Sequence, residues 1–398
     1  MTSPKTSRRE TNTEPLLRPG SRGERGATAL RATVRAHVDE HMHLRPRLNA
    51  MLGDSNWCVD SAHRIGDEIE IIGWAIAPAD GYFPATFTLD GVPFAEVDYP
   101  RVRPDIGELF WFRPGAEYSG FVCRTPLPES TREDGFLTID FVDRRTLGSF
   151  TPSRTFHLLA SNADDLPVPE ADRRVRVHGN DDAASFMAQG ASAFVKLDRA
   201  SRKSAGKGFT DFRRVLDWGC GCGRVTRYFA RHPEIAVRGI DIDESNIEWC
   251  RENLPFAQFD TCAVDPPTLH ADDSFDLIFG ISVMTHLGES DRAAWLAELS
   301  RVAEDGALVL LTVQGASALC RSNAGSGQVA RWEQTGMIDV GVSISAEDLS
   351  PEPDRYIDCF LTDAYIRDQW SEHFDVVEIM PGYIGNAQDL VILRNRKP

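Results

Sequence analysis

Between about Asp54 and Leu159 apolar residues recur at every second position, and beyond about Asp172 they gather into continuous runs separated by helical stretches. In the first region Glu68-Ile69-Glu70-Ile71 alternates and Gly135 to Asp143 alternates again. Phe87-Thr88-Leu89-Asp90-Gly91-Val92-Pro93-Phe94 carries Asp-Gly, a strong two-residue hairpin signal. Strand-like runs at regular intervals, punctuated by Pro and Gly, predict a small β-sandwich over residues 54–159. The polar, proline-bearing stretch 160–171 suits a linker between two independent cores. Ala183 to Ser201 predicts a helix ahead of the second region. Residues 1 to about 50 are rich in Arg, Ser, Thr, Pro and Gly and predict a disordered tail with at most a helix from about Ala27 to His43.

The most informative run is Val215-Leu216-Asp217-Trp218-Gly219-Cys220-Gly221-Cys222-Gly223-Arg224. It predicts a buried strand that ends in an acid, a tight loop, and a helix from about Val225 to Ala230. Glycines at such a turn accept positive φ and let a ligand lie against the main chain, while the helix start offers unpaired N–H groups. A dinucleotide fingerprint requires Gly-x-Gly-x-x-Gly. Counted from Gly219 its third glycine falls on Arg224, and counted from Gly221 on Thr226, so the NAD template fails.

Gly-x-Gly-x-Gly preceded two residues earlier by Asp217 resembles motif I of the class I S-adenosylmethionine-dependent methyltransferases. Later segments resemble the same family in order and spacing: Val237 to Asp243 as the second strand, Phe275 to Leu287 as the fourth strand with its outgoing loop, and Gly306 to Thr312 as the fifth strand. Phe374 to Met380 and Leu390 to Leu393 resemble a closing antiparallel pair, with Pro381 to Asp389 as a loop on the active edge. The resemblance implies a Rossmann-like α/β domain over 172–398, built on a mostly parallel seven-stranded sheet, with S-adenosyl-L-methionine as cofactor. It implies that Asp217, Gly219, Cys220, Gly221 and Gly223 cradle the cofactor. Asp241 would take the ribose hydroxyls with its two oxygens, and Ile242 would pack on adenine. Gly280 and Ser282 join this set from the fourth-strand segment. Cys262 and Ala263 stand where the family often has a polar adenine contact, so a backbone amide is implied there. The helical region before the first strand lies over the cofactor in the family, which points to Phe186 and Gly190; core packing explains Phe186 equally well.

A hydroxyl acceptor must lose its proton during transfer, and a base of near-neutral pKa does this best. His286 lies just past the fourth strand, on the sheet edge where open α/β folds bind ligands. A histidine that merely orders this loop is as good a reading. The insertion Gln314 to Tyr365 comes after the fifth strand, and its Trp332, Tyr356 and Tyr365 are candidate acceptor contacts, against ordinary lid packing. Gln388 and Asp389 resemble a recurring feature of a methyltransferase subgroup and are candidates for acceptor hydroxyls.

The sandwich segments Gly73-Trp74-Ala75, Leu89-Asp90-Gly91, Arg103-Pro104-Asp105 and Ser119-Gly120-Phe121 are similar to modules beside glycosyltransferases and methyltransferases of surface glycan pathways. Trp74 and Phe110-Trp111-Phe112 could form a sugar platform, although sandwich cores are rich in aromatics. The implied reaction is O-methylation of a small-molecule or glycan acceptor. Two other classes stay open, a noncatalytic glycan-binding scaffold and an NAD-dependent oxidoreductase.

Composition narrows partners. The 398 residues carry a formal net charge of −17, which disfavours nucleic acid. Met1 to Arg47 holds ten Lys/Arg against five Asp/Glu, so this tail is +5 and the remainder −22, yet it lacks aromatics for base stacking. No membrane-length apolar run or signal-peptide core is present, so a cytoplasmic protein is expected. The eight cysteines form no C-x-x-C pair, which argues against a metal site and for reduced thiols.

Overall fold

The computed structural model describes residues 44–52, 56–76, 85–127, 135–143, 155–159, 166–322, 324–342 and 356–397. Residues 1–43, with the expected Ala27–His43 helix, and residues 160–165 of the expected linker lie outside these, while residues 45–50 of the expected disordered tail are helical. Among the described residues no helix is long and apolar enough to cross a membrane, and no cluster of potential metal ligands occurs. All eight cysteines are free.

Helix α1 (Arg45–Leu52) precedes strands β1 (Asn56–Ile65), β2 (Glu68–Ile76), β3 (Ala85–Leu89), β4 (Val92–Pro93) and β5 (Glu96–Arg101). The short helix α2 (Pro104–Leu109) leads to β6 (Gly120–Pro126), β7 (Phe136–Asp143) and β8 (Phe156–Leu159). The strands form two four-stranded antiparallel sheets, ordered β1-β2-β6-β5 and β4-β3-β7-β8. Period-two side chains of both sheets meet in one core. Ile69, Ile71 and Phe121 come from the first sheet and Phe87, Leu137 and Ile139 from the second, with the Phe87 and Phe121 rings 4.4 Å apart. The Asp90-Gly91 signal is a two-residue hairpin turn between β3 and β4, with φ of 49° and 81°. Trp74, Phe110, Trp111 and Phe112 are buried in this core, so they offer no exposed platform for a sugar.

Helices α3 (Ala171–His178) and α4 (Ala183–Ala205) lead into the second region. Asp182 caps α4 by accepting from Ala184 N at 2.8 Å, and Gly206 ends it in the left-handed region. The strands of this region are β9 (Arg214–Trp218), β10 (Ala236–Asp241), β11 (Gln258–Thr261), β12 (Phe275–Gly280), β13 (Ala303–Val313), β16 (Phe374–Ile384) and β17 (Gln388–Asn395). They form one seven-stranded sheet ordered β11-β10-β9-β12-β13-β17-β16, parallel except for β16 and β17, with helices α5 (Glu244–Asn253) between β10 and β11 and α6 (Glu289–Val302) between β12 and β13. This is the expected Rossmann-like topology. Val215 and Leu216 on β9 are fully buried between β10 and β12, as a doubly covered parallel sheet requires. The strand order reverses between β9 and β12, so the loops leaving them diverge and open a crevice.

Two elements of this region differ from the sequence expectation. After the glycine loop the chain forms a 3-10 turn over Thr226–Arg231, closed by bonds such as Tyr228 N to Val225 O, in place of an α-helix over Val225–Ala230. The expected loop Pro381–Asp389 is mostly strand, because the β16–β17 ladder resumes at Ile384–Gln388 after a register shift. The insertion after β13 builds helices α7 (Ala316–Arg321) and α8 (Ser326–Thr335) and a separate hairpin of β14 (Met337–Val342) and β15 (Ile357–Leu361).

The polar stretch predicts independent cores, yet side chains cross between the regions. Phe136 of β7 packs with Phe194 of α4 at 6.0 Å, in a cluster that includes Val215 and Tyr228. Gln189 Nε2 donates to Val59 O at 2.7 Å, and Asn386 Nδ2 donates to Trp57 O. Phe136→Ala is therefore expected to destabilise the whole chain by about 3–5 kcal/mol, with one cooperative thermal transition shifted downward in calorimetry. Loss confined to a separate low-temperature transition would show that the clusters do not cooperate.

Candidate functional site

The glycine loop is fixed first by its own backbone. Gly219 N and Cys220 N both donate to Ile240 O, at 2.8 and 3.0 Å, tying the loop to the end of β10. Gly221 N donates to Asp241 Oδ2 at 2.7 Å, and Asp243 N to Asp241 Oδ1 at 2.9 Å. One carboxylate thus spans two loops, and each of its oxygens keeps a second lone pair for a ligand. Glycine is required by geometry at two positions. Gly219 and Gly221 have φ of 73° and 52°, and a Cβ there would lie 2.3 Å from Val283 Cγ2 and 2.8 Å from Val177 Cγ2.

These loops wall a cleft of about 340 Å³. Asp217, Gly219, Cys220, Gly221, Asp241, Ile242, Cys262, Ser282 and His286 all line it, as does Tyr356. Asp217 accepts from Thr226 Oγ1, and burial pushes its carboxyl up to about 7 against the pull of that hydrogen bond. Arg224, which in the sequence served only to break the NAD template, lines the cleft as well. Its Nε is buried without a partner among the described residues. The pair offers one negative and one positive group, a match for an amino-acid zwitterion.

Other expected residues stand elsewhere. Gly223 packs toward Leu254, and Gly280 lies over Trp218, where a Cβ would be 2.8 Å from the indole. Ala263 is off the cleft wall, and the Cys262 amide already donates to Asp241 O at 2.9 Å, so it is not free for adenine. Phe186 is buried beneath the loop with Cys220, Cys222 and Ile247, and Gly190 lets α4 approach Arg224 O. Both support the loop from below.

The cover comes from α3, a segment whose sequence reads only as the edge of the linker. Val175, Arg176, Val177 and Gly179 line the cleft. Arg176 pairs with Asp243 at 2.6 Å, and Arg173 donates to Ser245 O at 2.6 Å, pinning α3 to the loop after β10. The helix has no buried residue, so its apolar pattern carries no signal; its paired arginines are the feature that could have found it.

A second, outer cleft of about 380 Å³ shares Ser282 and His286 with the first. Ser282, at φ 61°, donates its N–H to Thr312 Oγ1 at 2.7 Å and accepts at Oγ from Gln388 Nε2 at 2.8 Å. His286 Nδ1 lies 3.3 Å from Asp358 Oδ1, and its ring stacks on Tyr356 at 5.7 Å. Burial pushes the Tyr356 phenol up to about 12, so it stays neutral. Gln388 lines this outer cleft, along with Asp358 and Leu109. Trp332 instead packs in a small core with Val329, Ile338 and Phe360. Tyr365 donates to Glu289 Oε1 at 3.2 Å beneath the Arg292 guanidinium, outside both clefts. Asp389 is buried and accepts from Gly382 N at 2.8 Å, lining neither cleft.

Residues 215–306 match the family model of the methyltransferase domain. Among curated proteins the chain is similar to Methyltransferase GfsG of Streptomyces halstedii, 32% identical over 100 residues, covering 23% of this chain and 34% of that protein. It is also similar to ajmaline N-methyltransferase of Rauvolfia serpentina, 32% identical over 107 residues, covering 25% of this chain and 35% of that protein. The chain thus spans about a third of the length of these relatives. Among solved structures, 1,6-didemethyltoxoflavin-N1-methyltransferase of Burkholderia thailandensis aligns at TM-score 0.38 and 14% identity, over 63% of this chain and 99% of that one. A SAM-dependent methyltransferase of Methanosarcina mazei aligns at TM-score 0.35 and 18% identity, over 46% of this chain and 93% of that one. The fold, the loop and the matched segment together define a class I S-adenosylmethionine-dependent methyltransferase domain, with S-adenosylmethionine as its cofactor.

The cleft fits that cofactor on its own chemistry. Asp217 and Arg224 suit the ammonium and carboxylate of a methionine moiety, Asp241 a ribose diol, and Ile242, Val264 and Ile281 an adenine ring. Asp241→Ala is expected to weaken S-adenosylhomocysteine binding by about 1–3 kcal/mol, and Gly221→Val to abolish it by filling the cradle. Titration calorimetry on folded variants checks both, and unchanged affinity in either removes that residue from the site.

Proposed function

We propose that the chain transfers a methyl group from S-adenosylmethionine to a hydroxyl of a small polyhydroxylated acceptor, a sugar or glycan-linked intermediate. The observation that supports this reading is the wall of Ser282 and His286 common to the two clefts, across which an acceptor in the outer one would face the cofactor in the inner one. Gln314, Gln388 and Ser322 line the outer cleft, and side-chain amides and hydroxyls of this kind suit a ligand with several hydroxyls.

When bound, the cofactor supplies a methyl group activated by its sulfonium charge, so the protein's part is mainly orientation. Asp241 and the glycine loop hold the nucleoside, while Asp217 and Arg224 hold the amino-acid end. His286 receives the acceptor hydroxyl's proton as the oxygen–methyl bond forms and the methyl–sulfur bond breaks. Asp358, whose Oδ1 lies 3.3 Å from Nδ1, sets a carboxylate beside the ring that takes up this proton. The products are a methyl ether and S-adenosylhomocysteine, with the proton on His286.

His286→Ala is expected to lower kcat by about 10²–10⁴-fold with S-adenosylhomocysteine affinity little changed. A screen of sugars and sugar nucleotides with labelled methyl donor supplies the assay, and a loss under about threefold leaves His286 only a structural role. Asp217 also makes cofactor binding depend on pH. A cationic amino group favours the ionised carboxylate, and burial holds this carboxyl near 7. Cofactor affinity is therefore expected to rise with pH through about 7 and to fall below it, as the carboxyl takes up its proton. Calorimetry across pH 6–8, an interval of about one unit either side, should show that step in the parent chain and its loss in Asp217→Asn.

A further inference from the structure

Arg321 closes helix α7 and lines the outer cleft with His286, Asp358 and Gln388. Its Nε donates to Ser317 O at 3.1 Å, and its guanidinium lies 5.9 Å from the centre of the ring of Phe110, which caps the short N-terminal helix α2. Its two terminal nitrogens have no protein partner among the described residues. Arg103 and Arg301 are by contrast paired, Arg103 with Asp60 and Asp105 and Arg301 with Glu298 and Asp272. A guanidinium drawn partly out of water without a counter-charge is costly unless a ligand provides one.

The groups whose charges act on Arg321 are Cys58, Cys320 and Asp389, and among the described residues no hydrogen bond joins them to its guanidinium. Asp389 accepts from Gly382 N, and burial pushes its carboxyl up to about 7. Burial likewise raises the Cys58 and Cys320 thiols, to about 11 and about 12, so both are uncharged. Asp358 faces His286 at 3.3 Å and lies 3.4 Å from Gln314 Nε2.

We propose that Arg321 binds an oxyanion carried by the acceptor, a carboxylate or a phosphate, while the hydroxyl to be methylated lies at His286. The planar fork of arginine matches either anion with paired hydrogen bonds. The acceptor class thereby narrows from polyhydroxylated molecules to acidic ones such as uronic acids or sugar phosphates. This rests on the acceptor-site reading above. It also gives the N-terminal region a part in the site, since Phe110 backs the guanidinium and Leu109 lines the same cleft.

The test uses the full chain saturated with S-adenosylhomocysteine, which closes the inner cleft and its Arg224 to other anions. Calorimetric titration compares D-glucuronate, glucose 6-phosphate and D-glucose. At least one acidic sugar is expected to bind about tenfold or more tightly than D-glucose. Which acid is preferred identifies the anion. Arg321→Gln should erase the preference, Arg321→Lys should keep part of it, and both should bind S-adenosylhomocysteine as the parent does. No preference for either acid in the parent chain, or the same preference in Arg321→Gln, overturns the proposal. If Arg321→Gln does not fold, the parent comparison and the lysine variant decide it, since a lysine that binds acid and neutral sugar alike also overturns it. Failure of the parent chain to bind S-adenosylhomocysteine would instead overturn the methyltransferase reading.

Discussion

Everything in the inner cleft depends on how the turn after β9 is held against the end of β10. Three successive amides of that turn are committed: Gly219 and Cys220 to Ile240 O, and Gly221 to the Asp241 carboxylate. This bonding needs left-handed backbone at Gly219 and Gly221, where side chains would be strained and would collide with Val283 and Val177. The same bonding brings Asp241 inward, where burial raises its pKa and the two backbone donors oppose that rise. A single acid therefore shapes the cradle and presents its remaining lone pairs to the ligand. The glycine spacing and the acid 24 residues after Asp217 are one constraint seen at two places in the chain.

Features that arise from local chemistry were legible in the sequence. The Asp90-Gly91 turn, the glycine loop and the strands of the seven-stranded sheet each derive from a short run whose period or composition leaves few alternatives. The inner cleft is close to this limit, because β9, β10 and β12 deliver their loops to one edge by topology alone. Glycine itself was ambiguous. Gly223 and Gly280 share the residue type of Gly219 and Gly221, yet they make room for Leu254 and Trp218, and no local pattern separates a cradle from a packing contact.

The outer cleft was illegible for a different reason. His286 meets Asp358 across 72 residues of chain, and Tyr356 stacks on it from the same insertion. In a lid with its own small core, aromatic residues divide between that core and the site according to which way a helix or hairpin faces. Trp332 went to the core and Tyr356 to the site, and nothing in either neighbourhood sets them apart. Asp389 shows the converse. It comes directly after Gln388, but alternation along a strand sends the two side chains to opposite sides, so only Gln388 reaches the cleft.

The two clefts are thus built on different principles. The inner one draws its floor from consecutive parallel strands, so its geometry is set by the sheet. The outer one is assembled from Leu109, His286, Arg321, Asp358 and Gln388, five positions on five separate segments, one of them the helix α2 of the N-terminal region. Changes in any of these segments can reshape acceptor recognition without disturbing the bonds that hold the glycine loop. Ser282 is the junction. Its backbone amide is held by Thr312 of the sheet and its hydroxyl by Gln388 of the outer wall, so the acceptor side is positioned relative to the cofactor side through one residue in left-handed conformation.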